Sequence, residues 1–321
     1  MDEFLLPKSG GERLTMPHYA CIDIGTNTVL LLVARMDETG ELKEVRQEQR
    51  FARLGEGLRK TGKIKDANAQ KALDFVDEYA TIAIEYDVEW IKIVGTAALR
   101  EAENGQELCN RILQRAGLKV NLISGEEEAR YAYLGALSNK THLKGQNLVV
   151  DIGGGSTEFI WGEDGKFEEA ISLPIGSAKL TEKFGLQDAV TAEIVEEAGA
   201  HFRSFLDDIK QRLPSGIDHM IGTAGTFTTL AAVQFQVEKY KRDVIDGSKL
   251  TAAQIEAILH RLAKLEAKDR LDLPGIDPGR EDVILGGAVI AEEILRWFGM
   301  DEIIISDRGL RFGVVLEEVG G

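Results

Sequence analysis

Two unrelated tripeptides recur in the same order at almost the same spacing, and this constrains the fold more than any other feature. Asp23-Ile24-Gly25 returns as Asp151-Ile152-Gly153, 128 positions on, and Gly95-Thr96-Ala97 returns as Gly222-Thr223-Ala224, 127 positions on. Each copy follows a short apolar run. A single tripeptide recurs easily by chance, but two in order, each at a strand end, argue for a duplicated structural unit.

The local pattern agrees. Tyr19 to Ile24 reads as a strand, Asn27 to Met36 as a second, and Asp37-Glu38-Thr39-Gly40 as a turn into a third near Glu41 to Arg50. Residues 66 to 86 carry apolar side chains at helical spacing, among them Leu73, Val76, Tyr79 and Ala83. A strand at Trp90 to Val94, a helix near 104 to 116 and a strand at Leu118 to Ile123 follow, and Ser124 opens another helix. Strands then restart at Leu148, at Thr157 to Trp161 and at Phe167 to Leu173, with a later strand at Asp218 to Ile221. The chain ends on a helix at Glu281 to Phe298, a strand at Asp301 to Ser306 and a helix at Leu310 to Val319. The fold class is therefore α/β. Its expected domains are residues 16–124 with 310–321 and residues 125–309, with the helix that starts at Ser124 bridging them. Residues 1–15 lack periodicity and read as a mobile tail, which makes Met16 a second candidate start.

Composition removes several function classes. The chain has 38 basic and 54 acidic residues, a net charge of −16, and no basic tract. That excludes general nucleic-acid binding. No apolar run is long enough to span a bilayer, and the acidic start is unlike an export signal, so a cytoplasmic protein without membrane contact is expected. Cys21 and Cys109 form neither a disulfide framework nor a zinc site, and the five histidines lack metal-ligand spacing. A homodimer is left open.

An acidic protein that binds phosphate must use local devices: backbone amides, helix N-termini, a few arginines and a metal. The repeated motifs have that character. In each, an aspartate ends a strand, and glycines with Thr26 and Asn27, or Ser156 and Thr157, make the turn. The sequence thus nominates Gly25, Thr26 and Asn27 in one loop and Gly153, Gly154, Gly155, Ser156 and Thr157 in the other as phosphate-binding. Asp23, Asp151 and Glu158 suit a divalent cation or an ordered water. The bland alternative is a pair of tight hairpins that merely need glycine. The repeat predicts that Asp23 and Asp151 approach one cleft from opposite halves. Gly95 to Arg100 and Gly222 to Thr226 follow strands and precede helices, which nominates Gly225 and Thr226 and offers Arg100 as a phosphate clamp. Taken alone, Arg100 fits a surface ion pair with Glu101 or Glu103 better. Ser124 with Glu127 matches a capping box, which leaves Glu128 free for other work, such as taking a proton from an attacking water.

The motifs together resemble the exopolyphosphatase and guanosine pentaphosphate phosphohydrolase family, within the actin, sugar-kinase and heat-shock chaperone superfamily. They are DIGTNT at 23–28, RLGEGL at 53–58, GTAALREAENG at 95–105, SGEEEAR at 124–130, DIGGGSTE at 151–158, PIGSAKLTE at 174–182, GTAGT at 222–226, LPGIDPGR at 273–280 and SDRGLRFG at 306–313. The resemblance implies two ribonuclease H-like domains around an interdomain cleft. It implies Glu128 as general base, Arg100 as a phosphate contact, Asp151 and Glu158 at the metal and the nucleophilic water, Gly153 to Thr157 as the phosphate loop, and Mg²⁺ or another divalent cation as cofactor. The expected substrate is inorganic polyphosphate or guanosine pentaphosphate. Two departures stand out. Phe312 occupies a position where many members carry Glu, and the chain lacks the C-terminal helical domain of long members, so the resemblance is to the short form. The alternatives on this fold are a kinase-like phosphoryl transferase and a nucleotide-gated scaffold of actin or chaperone type.

Overall fold

The structure, a computed structural model, describes residues 16–320. The tail expected over residues 1–15 lies outside the described residues. In chain order the elements are β1 (His18–Ile24), β2 (Thr28–Met36), β3 (Leu42–Phe51), α1 (Leu58–Thr61), α2 (Asp66–Glu85), β4 (Val88–Gly95), α3 (Ala97–Glu101), α4 (Gly105–Ala116), β5 (Val120–Leu122) and α5 (Gly125–Leu137). They continue with β6 (Gln146–Ile152), β7 (Thr157–Glu163), β8 (Lys166–Leu173), α6 (Ser177–Phe184), α7 (Ala192–Ile209), β9 (His219–Thr223), α8 (Ala224–Gln234), α9 (Arg242–Ile245), β10 (Lys249–Thr251), α10 (Ala252–Leu262), α11 (Ala267–Arg270), α12 (Ile284–Phe298), β11 (Glu302–Ile305) and α13 (Leu310–Gly320). No described helix is long and apolar enough to cross a membrane.

The chain forms two compact units. One runs to Asn139 and resumes at Leu310; the other is Lys140–Gly309. The first holds a five-stranded sheet in the order β3-β2-β1-β4-β5. Its β1, β2 and β3 pair antiparallel, while β1, β4 and β5 pair parallel. The second sheet reads β8-β7-β6-β9-β11-β10, with the same three antiparallel strands followed by parallel β9 and β11. The extra β10 pairs antiparallel at the edge. The duplication inferred from two tripeptides is therefore a duplicated sheet topology, the ribonuclease H-like order in both units.

Strand alternation explains the layers of the first unit. Ala20, Ile22 and Ile24 point into a core with Ala72, Val76, Tyr79 and Ala83 of α2, which recur at helical spacing. Tyr19 and Cys21 point to the opposite face, where Tyr131 of α5 and Phe312, Val314 and Val315 of α13 cover them. In the second unit α12 is apolar nearly all round and buried, and its Glu293 is held by Arg203 at 2.7 Å.

This packing corrects two expectations. The α5 helix does not bridge the units and does not begin the second one; all of it belongs to the first. Its Tyr131 shares a core with α13, the backbone of Gly313 lies against the Tyr131 carbonyl, and Arg130 pairs with Glu317. A helix whose apolar face is spent this way cannot leave with the next domain. Phe312, the departure noted in the sequence, is fully buried in the same core and serves packing.

Candidate active site

The two Asp-Ile-Gly turns share their geometry. The Gly25 amide donates to the Thr28 carbonyl at 2.9 Å, and the Gly153 amide donates to the Ser156 carbonyl at 3.0 Å. Each turn is then braced by the segment that follows β3 or β8. In the first unit the Arg53 and Gly55 amides donate to the carbonyls of Asn27 and Thr26, both at 2.8 Å. In the second, the Ser177 and Ala178 amides donate to the carbonyls of Gly153 and Gly154, both at 2.9 Å. Thr26, Asn27, Gly154 and Gly155 remain exposed, and at the two glycines, which have no side chain, it is the backbone that faces solvent.

The threonines divide differently from expectation. The Thr157 hydroxyl donates to the Ile175 carbonyl at 2.8 Å, and the Thr226 hydroxyl to the Ile152 carbonyl at 3.0 Å; both are buried. A hydroxyl has one proton to give, so these two hold loops together and are spent as donors to a ligand. The Thr226 bond seats the start of α8 beside the Gly153 turn. Thr96 makes the matching link in the first unit, its amide donating to the Ile24 carbonyl at 3.2 Å. Gly225 leaves no room for a Cβ because the Arg280 guanidinium lies against it. Arg280 closes the LPGIDPGR motif, yet no local pattern gave it a role; the signal was a lone arginine at the end of a Pro/Gly turn.

Glu128 and Arg100 come together. The Arg100 Nη1 lies 3.4 Å from Glu128 Oε2 and donates to the Ile123 carbonyl at 2.6 Å. The pair is about one-third exposed, 32% and 35%. The alternative partners do not hold Arg100: Glu103 sits 3.6 Å from Lys63. The neighbouring glutamate is occupied as read. The Ser124 amide donates to Glu127 Oε2 at 2.8 Å and the Glu127 amide to Ser124 Oγ at 3.1 Å, a complete capping box. Hydrogen bonds from Ser124 hold the Glu127 carboxyl below its ordinary value.

Asp23 has a buried Oδ1 with no hydrogen-bond partner. Burial pushes its pKa up to about 7, with Arg311 opposing the rise and Glu128 adding to it. Arg311, in the first turn of α13, is fixed by the Leu31 carbonyl at 2.5 Å and Gln47 at 2.7 Å. The sequence gave it no role.

Asp151 and Glu158 face each other in the β6–β7 register, and Ser172 lies opposite Glu158 on β8. Ser172 Oγ donates to Glu158 Oε1 at 2.8 Å. Burial nevertheless raises the Glu158 pKa, against hydrogen bonds from Ser156 and Ser172. Among the described residues no group of three or more His, Cys, Asp or Glu side chains could hold a metal ion. Asp151 and Glu158 are set side by side by the sheet of the second unit, while Asp23 belongs to the first. Two carboxylates, one of them destabilised by burial and eased by hydrogen bonds from Ser156, Ser172 and its own backbone, fit a hard cation such as Mg²⁺. That ion commonly takes one or two carboxylates and completes its shell with water and substrate oxygens.

Comparison with known proteins places the chain in a family. The profile of the Ppx/GppA phosphatase family matches residues 32–320. A bifunctional 3-dehydroquinate synthase/phosphatase of Fusobacterium nucleatum is 34% identical over 94% of this chain, which spans 46% of that protein. Exopolyphosphatase 2 of Mycobacterium tuberculosis is 31% identical over 96% of this chain and is matched along its whole length. Among solved structures, the Ppx/GppA phosphatase of Aquifex aeolicus superposes with a TM-score of 0.85 at 34% identity, covering 94% of this chain and 99% of that one. The chain belongs to the Ppx/GppA phosphatase family.

Proposed function

We propose that the protein is a hydrolase that releases the terminal phosphate of inorganic polyphosphate or guanosine pentaphosphate. The observation that carries the reading is the pairing of Arg100 with Glu128 at 3.4 Å, beside a capping box that already occupies Glu127. An arginine and a carboxylate at the start of a helix supply a phosphate clamp and a proton acceptor together.

In the reaction, a water oxygen bonds to the terminal phosphorus as the anhydride P–O bond breaks. The bonding pair leaves with the shortened chain, and the water's proton passes to Glu128. In the first unit Arg100 and the Gly25–Asn27 turn, and in the second the Gly153–Ser156 turn, supply donors for phosphate oxygens. Asp151 and Glu158 would hold the divalent cation, whose contribution is to offset phosphate charge. Two buried, unpaired cysteines, Cys21 and Cys109, support a reducing, cytoplasmic setting.

The test is phosphate release with Mg²⁺ from polyphosphate, guanosine pentaphosphate and ATP. The reading expects turnover of at least one of the first two well above that of ATP. Turnover of ATP alone would overturn it in favour of a nucleotide-gated scaffold, and transfer to an acceptor other than water would favour a kinase-like enzyme.

A further inference from the structure

We propose that Lys179 is a further phosphate-binding residue, whose ammonium contacts the phosphate chain lying on the open Gly154–Gly155 backbone. The inference deepens the hydrolase reading and takes from it the class of ligand, a phosphoanhydride chain.

Lys179 is the third residue of α6 and belongs to the same unit as the turn. Its Cε is the sole atom that would come within 4 Å of a Cβ on Gly155, at 3.8 Å, so its stem lies over the most exposed part of the loop. The helix and the turn form one body. The Ser177, Ala178 and Lys179 amides donate to the carbonyls of Gly153 and Gly154 at 2.9, 2.9 and 3.2 Å, and Ser177 Oγ adds a bond to Gly153 at 3.1 Å. Those helix amides are thereby spent on the loop and leave cation chemistry there to the side chain.

Lys179 Nζ donates to the Pro174 carbonyl at 2.7 Å. An ammonium has three protons. This bond restrains a flexible four-carbon stem and reduces the freedom it would lose on meeting a ligand. Satisfying Pro174 does not explain the lysine, because Pro174 is exposed and water can serve its carbonyl. The local charge gives a better reason. Asp151 and Glu158 flank the turn, and the molecule carries −16 overall, so a polyanion on Gly154 and Gly155 needs a cation that travels with the loop. Arg280 is placed alike in the same unit, its guanidinium against Gly225.

The experiment titrates the protein with methylenediphosphonate, an uncleavable two-phosphate analogue, by calorimetry in the presence of Mg²⁺. Lys179→Met is expected to weaken binding about tenfold, the worth of one charge-assisted hydrogen bond. Lys179→Arg is expected to restore it to within about threefold, since charge and reach are kept. Matched thermal melts of both variants show that the loop still folds. Binding by Lys179→Met as tight as the wild type, or no binding by the wild type, would overturn the inference. Phosphate release from polyphosphate, measured in parallel, tests the other reading. A wild type that binds the analogue through Lys179 and releases no phosphate would defeat the hydrolase and support the binding residue.

Discussion

Glu127 and Glu128 are adjacent carboxylates in one helical turn, and their surroundings give them different work. Glu127 closes the capping box with Ser124, a duty glutamine performs equally well. Glu128 lies against Arg100, and glutamine there keeps shape and helix propensity but cannot accept a proton. Glu128→Gln is therefore expected to lower kcat on the order of 10²- to 10⁴-fold with KM little changed, and Glu127→Gln to leave kcat close to wild type. Equal losses in steady-state assays would remove Glu128 as the base. Asp23 makes a second prediction at this scale. Its folded pKa of about 7 stands above the ordinary carboxylate value, so between those values the folded state holds a proton the unfolded chain has lost. Its contribution to stability is thus present at low pH and lost as pH rises toward 7. Asp23→Asn removes the buried charge, and thermal melts should show a gain in Tm at pH 8 and a flatter profile between pH 4 and 7. An unchanged profile would mean that Asp23 is solvated.

Among elements, the pairing of α5 with α13 decides where the first unit ends, and it turns on Gly313. A Cβ there would overlap the Tyr131 carbonyl, while a Cβ on Gly125 meets nothing within 4 Å. Gly313→Ala should cost about 1–3 kcal/mol or more through forced separation of the helices and lower Tm by several degrees. Gly125→Ala should leave Tm unchanged or slightly raised. Similar melts for the two would show that the helices part without strain. This contact also marks the limit of what could be read in advance. The repeated strand order was legible because Asp-Ile-Gly and Gly-Thr-Ala sit at strand ends in both copies, and the capping box because it is written in four consecutive residues. The membership of α5 was not, because it depends on Phe312 and Val315 arriving from the far end of the chain. The same holds for Thr157 and Thr226. Their loops look like ligand loops, and only the distant carbonyls of Ile175 and Ile152 show the hydroxyls to be occupied. Lys140 and Arg308, at the two ends of the second unit, both reach buried Asp246, a cluster no local pattern announces.

For the whole molecule, charge sets how a long polyanion is handled. Repeated cleavage without release needs a continuous cationic track that holds the chain between cuts. This protein has 16 more acidic than basic residues. Many of its surface arginines and lysines are already paired with carboxylates, among them Arg50 with Glu78, Arg115 with Asp74 and Asp77, and Arg212 with Glu169. In the second unit Lys179 and Arg280 lie beside Gly155 and Gly225, a reach of only a few phosphates for the proposed binding. Farther along, a polyanion faces a protein of net charge −16, with repulsion that decays over roughly 8 Å at physiological ionic strength. Dissociation after each cut should therefore compete with sliding. A time course on long-chain polyphosphate, resolved by gel, should show a spread of intermediate lengths well before the starting material is consumed, and added salt, which screens the repulsion, should narrow that spread. Long chains that vanish with no intermediates would show that a cationic path exists after all, and charge substitutions beyond the glycine loops would then be the way to find it.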